Sequence, residues 1–179
     1  MSPSTKTAPA ARAATSRNGG GMHHTHNDMP EKLRRQVCTE LNALLADAGD
    51  LTMQAKQAHW NVRGPNFIAL HRLFDEVYEH AAAWTDTIAE RITALGGQAI
   101  GTVQAAAEHT RLSPYPLDLV DERAHVERLS MSIAAFGENV RDLIQRFTKL
   151  EDLGSADVCT EISRAVDNDL WFVEAHLGG

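Results

Sequence analysis

Gln57-Ala58-His59-Trp60-Asn61-Val62-Arg63-Gly64-Pro65-Asn66-Phe67 closes one long amphipathic segment and opens another. Before it, Leu33, Val37, Leu41, Leu44, Leu45, Ala48, Leu51, Ala55, Ala58 and Val62 repeat at helical spacing. Pro30 sits where a first helical turn tolerates proline. Gly64-Pro65 stops the helix, because proline lacks an N–H and pushes the residue before it out of the helical region. Beyond it, Leu70, Phe74, Val77, Ala81, Ile88, Ile92 and Leu95 mark a second helix over about residues 66–95, ended by Gly96-Gly97.

A linker of about 20 residues follows, with a short helix expected over 104–109 and a break at Ser113-Pro114-Tyr115-Pro116. A third helix is expected over about residues 117–149. Ser155 can cap a fourth over about 156–176. No strand alternation and no internal repeat interrupts this pattern. Four long helices with one long crossover predict an all-α, ferritin-like four-helix bundle rather than a simple up-and-down one.

The chain has 179 residues, 43% of them hydrophobic and 23% charged, which suits one domain with a real core and excludes a disordered or collagen-like chain. No apolar run approaches the roughly 18–20 residues of a transmembrane helix, so no membrane partner is expected. No secretory signal is expected, because no apolar stretch follows the first cation. Two widely separated cysteines, Cys38 and Cys159, make no disulfide framework; they suit a reducing, cytoplasmic setting and a role as small buried apolar residues.

The net charge of −7 is unevenly spread. Residues 1–27 hold Lys6, Arg12 and Arg17 of the 17 basic residues and none of the 24 acidic ones, so a +3 tail joins a −10 body. The tail is rich in Ala, Ser, Thr and Gly, and residues 1–29 are expected to be flexible and outside the fold, which then spans 30–179. An acidic body argues against nucleic acid over its general surface, leaving Lys6, Arg12 and Arg17 as the candidate DNA contacts. His23, His24 and His26, with Asp28, form either a metal site for zinc or a similar ion, or a plain polar tract.

Chemistry is concentrated on the first two helices. With His71 at zero and ~100° per residue, Asp75, Asp86 and Glu90 fall at about 40°, 60° and 100°, one arc beside the apolar stripe. Ala82 and Ala89 share that arc and let another helix come close. Within a straight helix the pairs His71/Asp75 and Asp86/Glu90 stand roughly 16–29 Å apart and cannot meet. They are, however, centred on residues 80–81. Two copies packed antiparallel about a two-fold axis there bring His71 of one beside Glu90 of the other, and Asp75 beside Asp86. His59 and His71 each stand six residues from Pro65 and should face each other across the turn. Two imidazoles with carboxylates suit iron, zinc or manganese better than calcium or copper. An exposed face carrying ordinary i,i+4 charges is the plain alternative for any one of these residues.

Lys56 to Phe67, followed by His71, Asp75, Asp86, Glu90 and Leu95-Gly96-Gly97, and the ending Leu170-Trp171-Phe172-Val173-Glu174, closely resemble the Dps mini-ferritins over about residues 31–177. The resemblance implies a hollow homododecamer that oxidises Fe(II), preferably with hydrogen peroxide, at centres on its two-fold interfaces, and stores ferric mineral inside. It assigns His59, His71, Asp75, Asp86 and Glu90 as metal ligands, Trp60 as the tryptophan beside the centre, and Lys56 as a residue behind the ligands. It also implies an iron-entry pore, for which Asp152, Asp157 and Glu161 are candidates; helix capping explains carboxylates there equally well. A non-enzymatic shell that binds and compacts DNA, or buffers metal, is the alternative function, with association to the nucleoid if DNA is bound.

The remaining candidates are weaker. Di-iron bundles use two Glu-x-x-His motifs, and only Glu122-Arg-Ala-His125 is present, against a centre within one subunit. His80, His109 and His176 have no evident partners and are expected to be packing or surface residues, and Trp84 and Trp171 to be core or interface.

Overall fold

The computed structural model describes residues 21–178, which contain five α-helices and no strand. They are α1 (Glu31–Asn61), α2 (Phe67–Ala94), α3 (Val103–His109), α4 (Glu122–Lys149) and α5 (Leu153–Glu174), followed by one 3-10 turn, Ala175–Leu177. None of these helices is long and apolar enough to cross a membrane.

The α1–α2 hairpin turns where Gly64 adopts φ 152°, a conformation that favours glycine. A Cβ there would also lie 2.2 Å from Glu122 Oε2. That carboxylate accepts from the Asn66 backbone N–H at 3.1 Å and from Asn66 Nδ2 at 2.9 Å, tying the turn to the start of α4. Glu122 is thereby spent on the turn, and its motif partner His125 is buried, with the Tyr115 hydroxyl donating to its Nδ1 at 2.8 Å.

Because α4 begins beside the α1–α2 turn while α2 ends at the opposite end of the bundle, residues 95–121 must run the length of the molecule. α1 fastens this crossover with polar side chains. Asp47, fully buried, accepts from the Arg111 backbone, the Arg111 guanidinium and Asn139. Asp50 accepts from Thr110 at 2.9 Å, and Gln54 donates to the Ser113 carbonyl at 3.1 Å. Buried polar groups of this kind must be paired, which fixes the strap in one path. The core beneath joins the expected stripes of α1 and α2, with Leu41, Leu44, Leu51, Phe74, Val77 and Ile88 fully enclosed, to Ile133, Phe136 and Phe147 of α4, equally enclosed.

Three boundaries differ from expectation. α4 starts at Glu122, five residues after the expected point, because Asp121 caps it by accepting from the Arg123 N–H at 2.7 Å. α5 starts at Leu153 with Asp152, not Ser155, as its cap; Asp152 accepts from the Ser155 N–H at 3.0 Å. The expected loose tail of residues 1–29 is docked over 22–29: His23 N–H donates to the Gly96 carbonyl at 2.7 Å, Arg34 Nε donates to the Met29 carbonyl at 3.0 Å, and Met22 and Met29 pack on the core. Two apolar side chains and two backbone bonds suffice to hold this segment against the bundle.

Candidate metal centre

The α1–α2 turn brings three of the five expected ligands to one place. His59 lies in the last turn of α1 and His71 in the second turn of α2, and their rings stack with centroids 3.7 Å apart. His59 Nδ1 donates to the His71 carbonyl at 2.7 Å, and His71 Nδ1 donates to the His59 carbonyl at 2.9 Å. A carbonyl can only accept, so each neutral ring carries its proton on Nδ1 and leaves the Nε2 lone pair free. Backbone carbonyls on the far nitrogen are the usual way a ligating imidazole is oriented and made more basic.

Asp75, one turn after His71, places Oδ1 3.8 Å from His59 Nδ1. Lys56 donates to that same oxygen, and its ammonium sits 4.2 Å from the centre of the Tyr78 ring. The Lys56 ammonium holds the Asp75 carboxyl below the ordinary carboxylate range, with the nearby imidazoles acting in the same direction. Trp60, the residue after His59, is 60% exposed.

Asp86 and Glu90 are not gathered with these three. They stand further along α2, roughly 16 Å or more away by helical rise, exposed and without a side-chain partner among the described residues. Accordingly no three His, Cys, Asp or Glu side chains among the described residues are placed to hold a metal ion within one chain. Between the two groups of ligands the surface is apolar. Ala82, Thr85, Met53, Val103 and Ala106 line a hollow of ≈ 330 Å³, and Val103 and Met53 are 77% and 49% exposed.

The other expected sites fare differently. Asp152 is removed from the candidate pore: its side chain is 2% exposed, it caps α5, and Arg91 Nη2 donates to its Oδ1 at 2.9 Å. Asp157 and Glu161 remain exposed on α5. His23, His24 and His26 are exposed, with the rings of His24 and His26 edge-on at 5.1 Å. Lys6, Arg12 and Arg17 lie outside the described residues. Cys38 and Cys159 are buried and free, and burial pushes both thiols up, Cys159 to about 12. Trp84 is buried against Phe136, whereas Trp171 is 64% exposed. His109 and His176 are exposed.

His80 lies on the surface, within the expected reading, but it has a buried hydrogen-bond partner that the sequence did not show. Its Nδ1 donates to both oxygens of Asp169, at 3.0 and 3.1 Å, and Asp169 is only 3% exposed. No sequence signal pairs residues 89 positions apart on helices whose facing is unknown.

The ferritin-like domain family matches residues 38–179. The DNA protection during starvation protein of Agrobacterium fabrum is 39% identical over 155 residues, covering 87% of this chain and 96% of that one. The protein of the same name from Mycolicibacterium smegmatis is 32% identical over 149 residues, covering 83% and 81%. Among solved structures, Dps from Microbacterium arborescens in its high iron form superposes with a TM-score of 0.78 at 37% identity, covering 85% of this chain and 98% of that one. DpsC from Streptomyces coelicolor superposes with a TM-score of 0.85 at 29% identity, covering 92% and 96%.

Proposed function

The chain belongs to the Dps family of ferritin-like proteins, and from that premise we propose that it is a ferroxidase and iron store whose centres form between two copies. The reading rests on one observation above the others: the reciprocal carbonyl bonds of His59 and His71, which turn two lone pairs outward beside Asp75. Asp86 and Glu90 of a second copy complete the set, and Trp60 stands beside it. The apolar hollow around Ala82 and Thr85 is the surface over which the two α2 helices meet. Further copies close the dimers into a hollow dodecamer.

Ferrous iron is the substrate. Neutral imidazoles and carboxylates bind it, and the carboxylates favour the ferric product by charge. Two ferrous ions and hydrogen peroxide, with two protons, give two ferric ions and two waters, so no hydroxyl radical is released. Ferric mineral then accumulates within the acidic shell, Asp157 and Glu161 guiding cations inward. Removal of iron and peroxide together protects DNA, in keeping with the names of the two relatives. The expected location is the cytoplasm, with the nucleoid as a partner where residues 1–20 contact DNA. The high iron form of Dps from Microbacterium arborescens supports iron as the cargo.

The deciding experiment compares ferrous oxidation by the native protein with that by His71→Ala plus Asp86→Ala, with peroxide and with dioxygen. The proposal expects peroxide to be the faster oxidant and the double variant to fall to the protein-free rate. Unchanged oxidation in the variant removes the proposed centre, and a stable monomer in solution removes the shared interface.

A further inference from the structure

Asp169 is enclosed between α2 and α5, and His80 supplies the side-chain hydrogen bond to its carboxylate. A buried carboxylate calls for hydrogen bonds and for positive charge nearby. The imidazole that meets it is 53% exposed. Nδ1 is directed at Asp169, and Nε2 has no hydrogen-bond partner among the described residues. Glu76, four residues before His80 on the same helix, is exposed on the neighbouring turn.

We propose that His80, backed by Asp169 and joined by Glu76, is a docking site for a divalent transition-metal ion, separate from the His59–His71 centre. The arrangement is a carboxylate–histidine–metal relay lacking only the ion: the buried carboxylate fixes the tautomer, orients the ring and raises the basicity of Nε2. A cation on Nε2 places positive charge on the imidazole that faces the buried Asp169. Residues four apart on a helix share a face, so Glu76 and His80 can ligate one ion while water fills the other positions. On α2, His80 stands about 80° around the helix from Glu90 and about 140° from Asp75, and about 7.5 Å along it from Asp75. The site therefore faces neither the two-fold surface nor the stacked histidines. Two protein ligands give modest affinity and ready release, which suits an ion in transit.

The test uses the full assembled protein and zinc(II) alone, a redox-inert probe. Crystals soaked in zinc should show an anomalous peak ~2.0–2.1 Å from His80 Nε2, absent from His80→Gln crystals and of lower occupancy in Asp169→Asn. In solution, calorimetric titration should show one zinc equivalent per chain lost in His80→Gln while binding at the His59–His71 centre remains. Glutamine can still donate to Asp169, so thermal melting of His80→Gln will show whether the fold is kept. No peak at His80 in native crystals whose stacked histidines are loaded overturns the proposal. So does a titration in which His80→Gln binds as many equivalents as the native chain. Undiminished occupancy in Asp169→Asn overturns the role given to Asp169.

Discussion

His59 and His71 stack at 3.7 Å and each donates its Nδ1 proton to the other's backbone carbonyl. The pair is thus held by main chain on both sides, with each Nδ1 engaged and each Nε2 left over. Twelve residues separate them, and the turn at Gly64 is what makes the exchange reciprocal. Replacing either histidine by alanine should slow ferrous oxidation by at least about tenfold, and replacing both should cost little more than one, since they act as a unit. Initial rates of ferric formation will show this; additive losses would mean that the rings work separately.

Lys56 competes with any cation for Asp75. The variant Lys56→Met should bind zinc several-fold more tightly at neutral pH, measured by calorimetry. The acid limb of stability should also change. The Asp75 carboxyl is held low by Lys56 in the folded chain, so its contribution is present above the unfolded value of about 3.9 and is lost as pH falls through the folded one. Lys56→Met should remove that loss, flattening the stability curve below about pH 4.

Asp152 belongs to the fold rather than to a pore. Breaking a buried ion pair and a helix cap together should cost roughly 3–5 kcal/mol, so Asp152→Ala should melt far below the native protein. Asp157→Asn and Glu161→Gln, both exposed, should change stability by less than about 0.5 kcal/mol. These two should instead slow iron incorporation. Thermal melting and iron uptake measured side by side separate the two roles.

His125 is buried neutral, and burial lowers its tendency to take a proton. The unfolded chain binds that proton more readily, so stability should fall as pH drops from about 6.5 toward the lowered folded value, and level off below it. His125→Gln should have lower stability throughout but a flatter slope in that window. Denaturant melts at several pH values will test the sign.

Residues 22–29 are docked on the bundle through His23, Met22 and Met29, so the candidate DNA contacts Lys6, Arg12 and Arg17 all precede the docked segment. Deleting residues 1–20 should abolish a salt-dependent gel shift and leave ferrous oxidation unchanged. A shift that survives the deletion would place DNA on the bundle itself; no shift at low salt with the native protein would remove DNA as a partner.

Much of the architecture was legible in the order of residues because local rules set it. Apolar spacing marked α1 and α2, Gly64-Pro65 marked their turn, and the length of the linker after Gly97 marked the crossover. The start of α5 differs because Ser155 and Asp152 are both good caps, and the folded chain uses Asp152, which accepts from the Ser155 N–H while Arg91 bonds to both side chains. The start of α4 differs because the break at Ser113-Pro114-Tyr115-Pro116 says only where a helix cannot run, whereas Asp121 caps the helix that follows.

The same division holds at the site. The sequence alone determined which ionisable residues share a face of α2 and that one chain cannot gather all of them, since helical rise and period are fixed by the backbone. Only tertiary structure decided which imidazole nitrogens are free, that Lys56 sits on Asp75, and that His80 meets Asp169. Those facts depend on how separate helices face one another, and packing sets that facing across the whole core rather than by any local run of residues.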